Sequence, residues 1–174
     1  MQAPPIVKIC GLSTAPTLDA ALAAGADMVG FVFFGPSPRN VTPALASQLA
    51  RRVNGRAKKV ALTVDADDAT LDAILAALEP DILQLHGRET PARTAEIRAR
   101  ASLPIMKALG VSTADDLAAV AVYEPIADWL LFDAKPPKEA TRPGGNAFSF
   151  DWAILDAFRT RKPWLLSGGL DPAN

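Results

Sequence analysis

Short apolar runs alternate along the chain with alanine-rich amphipathic stretches. Near-continuous apolar runs are typical of strands buried on both faces, as in a parallel sheet that helices cover. Successive runs start between 22 and 35 positions apart. The pattern therefore predicts seven strands, over residues 6–10, 28–33, 59–64, 81–85, 104–109, 128–132 and 163–166.

The stretches between the runs carry the start and stop signals of helices. Residues 18–24 have Ser13, Thr14 and Asp19 flanking their start and end at Gly25, which suits a left-handed cap. Residues 67–68 are acidic and precede a stripe at helical spacing, formed by Leu71, Ile74, Leu75 and Leu78. A third helix is predicted over residues 117–122, opened by residues 113–116. This alternation predicts right-handed βαβ units around a parallel sheet.

Seven such units fit a (βα)8 TIM-type barrel better than an open doubly wound sheet. Barrels of this kind usually take about 250 residues, and about 200 is a practical lower limit. The 174-residue chain stops where a seventh helix is expected. We therefore predict a single α/β barrel domain over residues 1–174, truncated after strand 7, without the seventh helix, eighth strand and final helix.

Composition and charge narrow the possible functions. Apolar residues make up 49% of the chain and charged residues 21%, which is typical of a globular protein. The net charge of −1 argues against a nucleic-acid or membrane-surface binder and leaves room for a local anion pocket. Residues 1–5 lack the features of a signal peptide, and no apolar run approaches the roughly 20 residues that cross a bilayer. With one cysteine and hence no intramolecular disulfide, a cytoplasmic protein is expected.

Two strand ends carry residues that suit proton transfer, since barrel enzymes place catalytic groups at the carboxyl ends of strands. Cys10 is either a small buried hydrophobe or, once ionised, a base beside Gly11, which allows close approach. Asp133 is either a helix cap or an acid–base group shielded by the apolar run before it. The next helix-like segment begins only near residues 151–152, and long loops are usually functional, so we favour catalysis for Asp133.

Other candidates would bind anions. Gly168 and Gly169 follow the seventh run, where barrels often hold phosphate on backbone N–H groups, although the pair is also an ordinary turn. Residues 143–146 are a weaker candidate, for a lid tip. Arg39 offers a planar fork for a carboxylate or is a solvated loop cation.

The remaining polar candidates are less specific. His86, the only histidine, is better explained as a hydrogen-bonded group than as a metal ligand. No HxH, HExxH or CxxC spacing occurs, so no catalytic metal is expected. Asp65 either touches a substrate or holds a loop.

Eight segments, taken in order, form a specific set of motifs. They are residues 8–12 (KICGL), 30–33 (GFVF), 37–39 (SPR), 84–87 (QLHG), 131–133 (LFD), 143–145 (PGG), 150–152 (FDW) and 167–174 (SGGLDPAN). Together they resemble the phosphoribosylanthranilate isomerase family over almost the whole chain. The family continues with a seventh helix, an eighth strand and a closing helix, so the parent gene product is expected to be longer.

The resemblance implies an Amadori rearrangement of N-(5-phosphoribosyl)anthranilate to 1-(2-carboxyphenylamino)-1-deoxyribulose 5-phosphate in tryptophan biosynthesis. By resemblance, Asp133 is the general acid that opens the furanose ring, and the Cys10 thiolate removes the proton from C2 of the sugar. Arg39 would bind the anthranilate carboxylate, and the turn at residues 168–169 part of the phosphate. We place His86 with the substrate-binding residues, and no cofactor or metal is needed.

Two alternatives stay open. A histidine-pathway isomerase performs the same rearrangement on a phosphosugar, but that family is expected to use carboxylates at both catalytic positions, and here the first is Cys10. A non-catalytic barrel remnant would explain the missing carboxyl-terminal part, whereas the presence of both Cys10 and Asp133 argues against it. The partner is expected to be a small phosphosugar, and the oligomeric state cannot be read from the sequence.

Overall fold

A computed structural model describes residues 4–135, 149–156, 158–171 and 173–174. The chain divides into two compact units, Met1–Leu83 and Gln84–Asn174, which are described in turn. In both units the strand order follows the chain order, and strands alternate with helices as the sequence predicted. None of the helices in these described ranges combines the length and apolarity that a membrane crossing requires.

The first unit contains three complete strand–helix repeats, and β2 lies between its two parallel neighbours. All six residues of β2 are buried, as its continuous apolar run predicted. The register pairs Cys10 with Gly30, so the end of β1 lies beside the middle of β2. The elements are β1 (Lys8–Cys10), α1 (Ala15–Ala23), β2 (Met28–Phe33), α2 (Pro43–Val53), β3 (Lys58–Thr63) and α3 (Asp68–Leu78).

Local capping explains where these helices begin. Thr14, Thr42 and Asp67 each occupy an N-cap position and accept a hydrogen bond from the backbone N–H three residues later. Beyond α1, Gly25 has φ +80°, the left-handed conformation that the sequence predicted there. The predicted stripe of α3 buries its first, second and fourth members and leaves the third half-buried.

In the second unit, β6 pairs in parallel with β5 and β7. Its elements are β4 (Ile82–Leu85), which spans the unit boundary, α4 (Pro91–Ala101), β5 (Ile105–Val111), a 3-10 helix (Ala114–Ala119), α5 (Val120–Tyr123), β6 (Trp129–Ala134), a 3-10 helix (Trp152–Leu155) and β7 (Trp164–Leu166). The strand bounds of this unit differ from the prediction by one or two residues, and β5 extends to Val111. Residues 113–116, predicted to open the helix over 117–122, contain the N-cap Thr113 and the start of a 3-10 helix at Ala114, a form common at helix starts. Strand β6 extends to Ala134.

The core of the second unit lies on one face of β6. Phe132 is fully buried and contacts Phe158 and Trp164 edge to face, with ring centroids 5.1 and 5.6 Å apart. Successive side chains of a strand point to opposite faces. The packing of Phe132 therefore directs Asp133 to the other face of β6.

Candidate active site

The end of β1 brings a thiol and an ammonium group over one glycine. Lys8 and Cys10 are two positions apart on β1 and share a face of the strand. A Cβ on Gly30 would lie 2.8 Å from the Cys10 sulfur and 3.2 Å from the Lys8 nitrogen. These two distances from one point bound the separation of sulfur and nitrogen at about 6 Å, within the range over which neighbouring charges interact.

Arg39 packs against the turn that follows Cys10. Gly11 has φ +83°, and a Cβ there would lie 2.6 Å from the Cδ of Arg39, so another residue would strain the backbone and displace the Arg39 side chain. One guanidinium N–H of Arg39 donates to the carbonyl of Cys10 at 3.4 Å. The backbone N–H groups of Gly11 and Leu12 donate to the carbonyl of Gly30, which ties this turn to β2. Arg39 is thus a half-buried neighbour of Cys10 and not a freely solvated loop cation.

The loop that carries Arg39 is closed on β2 by its own hydrogen bonds. Asn40 accepts from the N–H of Phe34 at 2.8 Å through its side chain. The N–H of Val41 donates to the carbonyl of Val32 at 2.9 Å. Closed at both ends, the loop presents Arg39 to the turn after β1.

In the second unit, Asp133 lies against His86. The Nε2 atom of His86 is 3.2 Å from one carboxylate oxygen of Asp133, and the two side chains are 11% and 8% exposed. The other carboxylate oxygen of Asp133 accepts from the N–H of Ala134 at 3.0 Å. The Gln84 amide nitrogen lies 2.9 Å from Nδ1 of His86. A neutral imidazole that accepts from this amide at Nδ1 carries its proton on Nε2 and donates it to Asp133.

The turn after β7 reaches the same carboxylate. Gly168 has φ +93°, and a Cβ there would lie 3.0 Å from an Asp133 oxygen and 2.9 Å from the nitrogen of Ala134. Gly169 has φ +71° and packs closely on Ser149. Both glycines therefore have a steric reason to be glycine, independent of any bound anion.

Sequence reasoning missed two lysines. Lys8 stands in the first motif without an assigned role, although the two-residue spacing to Cys10 already predicts a shared face. Lys107 is buried within β5 and pairs with the buried Glu89. A charge inside an apolar strand run was the signal that could have identified it.

Two further candidates from the sequence are Asp65 and the segment 143–146. Asp65 lies two residues beyond β3 with φ +48°, a conformation that Asp tolerates. The candidate lid at residues 143–146 lies outside the described residues. Within the described ranges, no group of three or more His, Cys, Asp or Glu side chains is arranged to hold a metal ion.

The described residues therefore form two clusters, one in each unit. The first contains Cys10, Lys8 and Arg39, and it can supply a thiol base beside cations. The second contains Asp133 and His86, and it can supply a carboxyl group whose orientation an imidazole holds. General acid–base catalysis uses a positioned acid and a positioned base, and the described residues include a candidate for each.

Comparison with known proteins shows a family match over most of the chain. The model of the N-(5'-phosphoribosyl)anthranilate (PRA) isomerase family matches residues 7–174. A protein named N-(5'-phosphoribosyl)anthranilate isomerase from Nitrobacter hamburgensis is 60% identical over 169 residues, which cover 97% of this chain and 75% of the relative.

Solved structures agree with the sequence relatives. The phosphoribosyl anthranilate isomerase of Thermotoga maritima is similar with a TM-score of 0.84 at 30% identity, over 97% of this chain and 79% of that one. A phosphoribosyl anthranilate isomerase in complex with reduced 1-(o-carboxyphenylamino)-1-deoxyribulose 5-phosphate is similar with a TM-score of 0.81 at 28% identity, over 97% and 78% of the two chains.

Proposed function

The chain belongs to the N-(5'-phosphoribosyl)anthranilate isomerase family, and we propose on that premise that it performs the family's isomerisation in tryptophan biosynthesis. The fold is of the α/β, TIM-type barrel class. The observation that carries the proposal is the family match over residues 7–174. The reaction is the Amadori rearrangement of N-(5-phosphoribosyl)anthranilate to 1-(2-carboxyphenylamino)-1-deoxyribulose 5-phosphate.

Asp133 acts first, as general acid. Its carboxyl group gives a proton to the furanose ring oxygen, the bond from that oxygen to C1 breaks, and the substrate nitrogen forms a Schiff base with C1. The near-complete burial of Asp133 supports this role because it shields the carboxyl group from water. His86 contacts one carboxylate oxygen of Asp133, which supports a fixed direction of proton transfer. Because Asp133 acts on the substrate, this contact also makes His86 a neighbour of the proposed substrate site.

Cys10 acts second, as general base. Its thiolate removes the proton from C2 of the Schiff base, the electron pair moves to the substrate nitrogen, and the resulting enolamine becomes the ketone. The substrate nitrogen is the electron sink, so the reaction uses no metal or cofactor. The ammonium of Lys8 lies within about 6 Å of the sulfur, so a cation stands beside the proposed base.

The anionic ends of the substrate have their own partners. Arg39, held beside Cys10, binds the anthranilate carboxylate through its planar fork. The backbone at residues 168–169 binds part of the phosphate. The ligand is a small phosphosugar. We infer a single (βα)-barrel domain over residues 1–174. We also infer that the protein acts in the cytoplasm and has no nucleic-acid or membrane partner.

The proposal is tested by an isomerase assay on the purified chain. Phosphoribosylanthranilate is generated in situ and the loss of its fluorescence is followed. We expect turnover by the wild type and a fall of at least about a hundredfold in Cys10→Ser and in Asp133→Asn, the scale expected on losing a general base or acid.

Each outcome has one meaning. No turnover by folded wild-type protein would reject the function and favour a non-catalytic barrel. Full activity in Cys10→Ser would remove the base assignment and leave the family membership intact.

A further inference from the structure

A buried ion pair lies beneath the loop that carries His86. Lys107 of β5 and Glu89 are each 2% exposed, and their charged atoms are 2.8 Å apart. Removing two charges from water is unfavourable, and a well-packed apolar pair often stabilises a core as well or better. Core stability alone therefore does not account for these two residues.

Lys107 and Glu89 together hold both polar backbone groups of Gly87. The ammonium of Lys107 donates to the carbonyl of Gly87 at 2.8 Å, and also to the carbonyl of Leu85 at 3.4 Å. The carboxylate of Glu89 accepts from the N–H of Gly87 at 3.1 Å. We call Lys107 and Glu89, with these bonds, the Gly87 clamp.

Tyr123 supports the clamp from a neighbouring helix. Its hydroxyl donates to the backbone carbonyl of Glu89 at 2.9 Å, and its ring centroid lies 5.5 Å from the ammonium of Lys107. Burial, and then the charge of Glu89, raise the pKa of the Tyr123 phenol, so the hydroxyl keeps the proton that it donates. The ion pair is thus enclosed by a cation–π contact and a hydrogen bond.

The clamp acts on His86 through a shared peptide plane. The N–H of Gly87 belongs to the rigid peptide unit whose carbonyl is that of His86. Fixing Gly87 fixes the backbone from which the imidazole extends. That imidazole lies between Gln84 and Asp133, at 2.9 and 3.2 Å.

We infer that Lys107 and Glu89 are positioning residues, which act through Gly87 to hold His86 where its Nε2–H donates to Asp133. Their catalytic consequence rests on the proposed function of Asp133, whereas their effect on the imidazole is measurable without substrate.

The first experiment reads the imidazole directly. His86 is the only histidine, so long-range ¹H–¹⁵N spectra of the full chain contain one imidazole, which needs no assignment. For the wild type we expect one sharp set of signals with the proton on Nε2. For Lys107→Met/Glu89→Leu, which removes both charges at similar volume and strands neither, we expect exchange broadening or a mixture of tautomers.

Matched variants separate positioning from general stability. Glu89→Gln keeps an acceptor for the Gly87 N–H and is expected to retain the wild-type spectrum. Arg98→Met removes a different ion pair of the same unit, in which Arg98 lies 2.8 Å from Asp128. This variant should leave the signals of the imidazole unchanged. If circular dichroism shows that the double variant is unfolded, Lys107→Met/Glu89→Gln is measured instead. Exchange broadening or a mixture of tautomers is expected for it as well. A wild-type spectrum in the folded double variant overturns the inference.

The second experiment is a kinetic cycle. In the wild-type background we expect the double variant to lower kcat by about tenfold or more, because misorientation of a reacting group is costly, with little change in KM. In a His86→Asn background the same pair of substitutions should cause no further loss, since residues that act in series are not additive. An equal loss in both backgrounds means a merely structural role and rejects the inference. If the wild type shows no turnover, the proposed function fails while the spectra still decide the clamp.

Discussion

Replacing Gly30 by alanine tests whether the position of the Cys10 sulfur matters. The new methyl group would lie 2.8 Å from that sulfur and 3.2 Å from the Lys8 nitrogen. Gly30 does not have a left-handed φ, so alanine adds no backbone strain there. The carbonyl of Gly30 keeps its hydrogen bonds from the turn after β1. The added Cβ would also lie 3.2 Å from the Cα of Cys10, so the substitution displaces the thiol together with the backbone at the end of β1.

The size of the effect follows from the contact distance. Ordinary van der Waals contact begins at 3.4 Å, so the sulfur must retreat by roughly half an ångström to one ångström. A misplacement of about 1 Å lowers an enzymatic rate by up to about a hundredfold. We expect kcat/KM to fall by about ten- to a hundredfold, which corresponds to about 1.4–2.7 kcal/mol in transition-state free energy.

The assay is the fluorescence assay for phosphoribosylanthranilate, with melting temperature measured alongside. Gly35→Ala is the matched control, because no heavy atom lies within 4 Å of its added Cβ and its φ is not left-handed. We expect Gly35→Ala to keep wild-type kcat/KM. Wild-type kcat/KM in a folded Gly30→Ala protein would refute the reasoning, since a base displaced from its place cannot act at full rate.

Two further predictions concern the second unit. A hydrogen bond from the Lys135 ammonium, and then backbone hydrogen bonds, lower the pKa of Asp116, while burial opposes them. The charge of Asp116 therefore stabilises the fold above about pH 4, and this contribution is lost as the pH falls further. Asp116→Asn should therefore lower the melting temperature at pH 7 and by less at pH 3, and an equal difference at both values would contradict this. Gly168→Ala should destabilise the chain in urea by about 1–3 kcal/mol and lower kcat, because its Cβ would lie 3.0 Å from an Asp133 oxygen. Gly25→Ala is the control, because Gly25 also has a left-handed φ but has open space around its added Cβ. If both variants lose the same stability and keep wild-type kcat, the contact with Asp133 is unimportant.

Much of the fold was readable from local patterns. A strand buried on both faces leaves an unbroken apolar run, and β2 has the predicted bounds for that reason. Thr14 and Asp67 mark helix starts because the orphan N–H groups of a first turn need a nearby acceptor. The order of the short motifs indicated the family, and the match over residues 7–174 confirms it.

The candidate site was readable only as a set of strand ends. That rule selected Cys10, Asp133 and Arg39, since the carboxyl ends of parallel strands carry the functional residues of a barrel. The catalytic roles of Cys10 and Asp133 and the substrate-binding role of Arg39 stay predictions. Lys107 was missed because a single lysine in an apolar run shows no partner within its own segment.

The sequence by itself determined which segments become strands and helices, because burial periodicity and capping act over a few neighbouring residues. Only the tertiary structure decided which side chains meet. The contact of His86 with Asp133 joins β4 to β6, and the contact over Gly30 depends on the register of β1 against β2. A shift of one residue would turn every side chain of a strand to its other face. The distances between side chains on different strands are therefore set by the register of strand pairing.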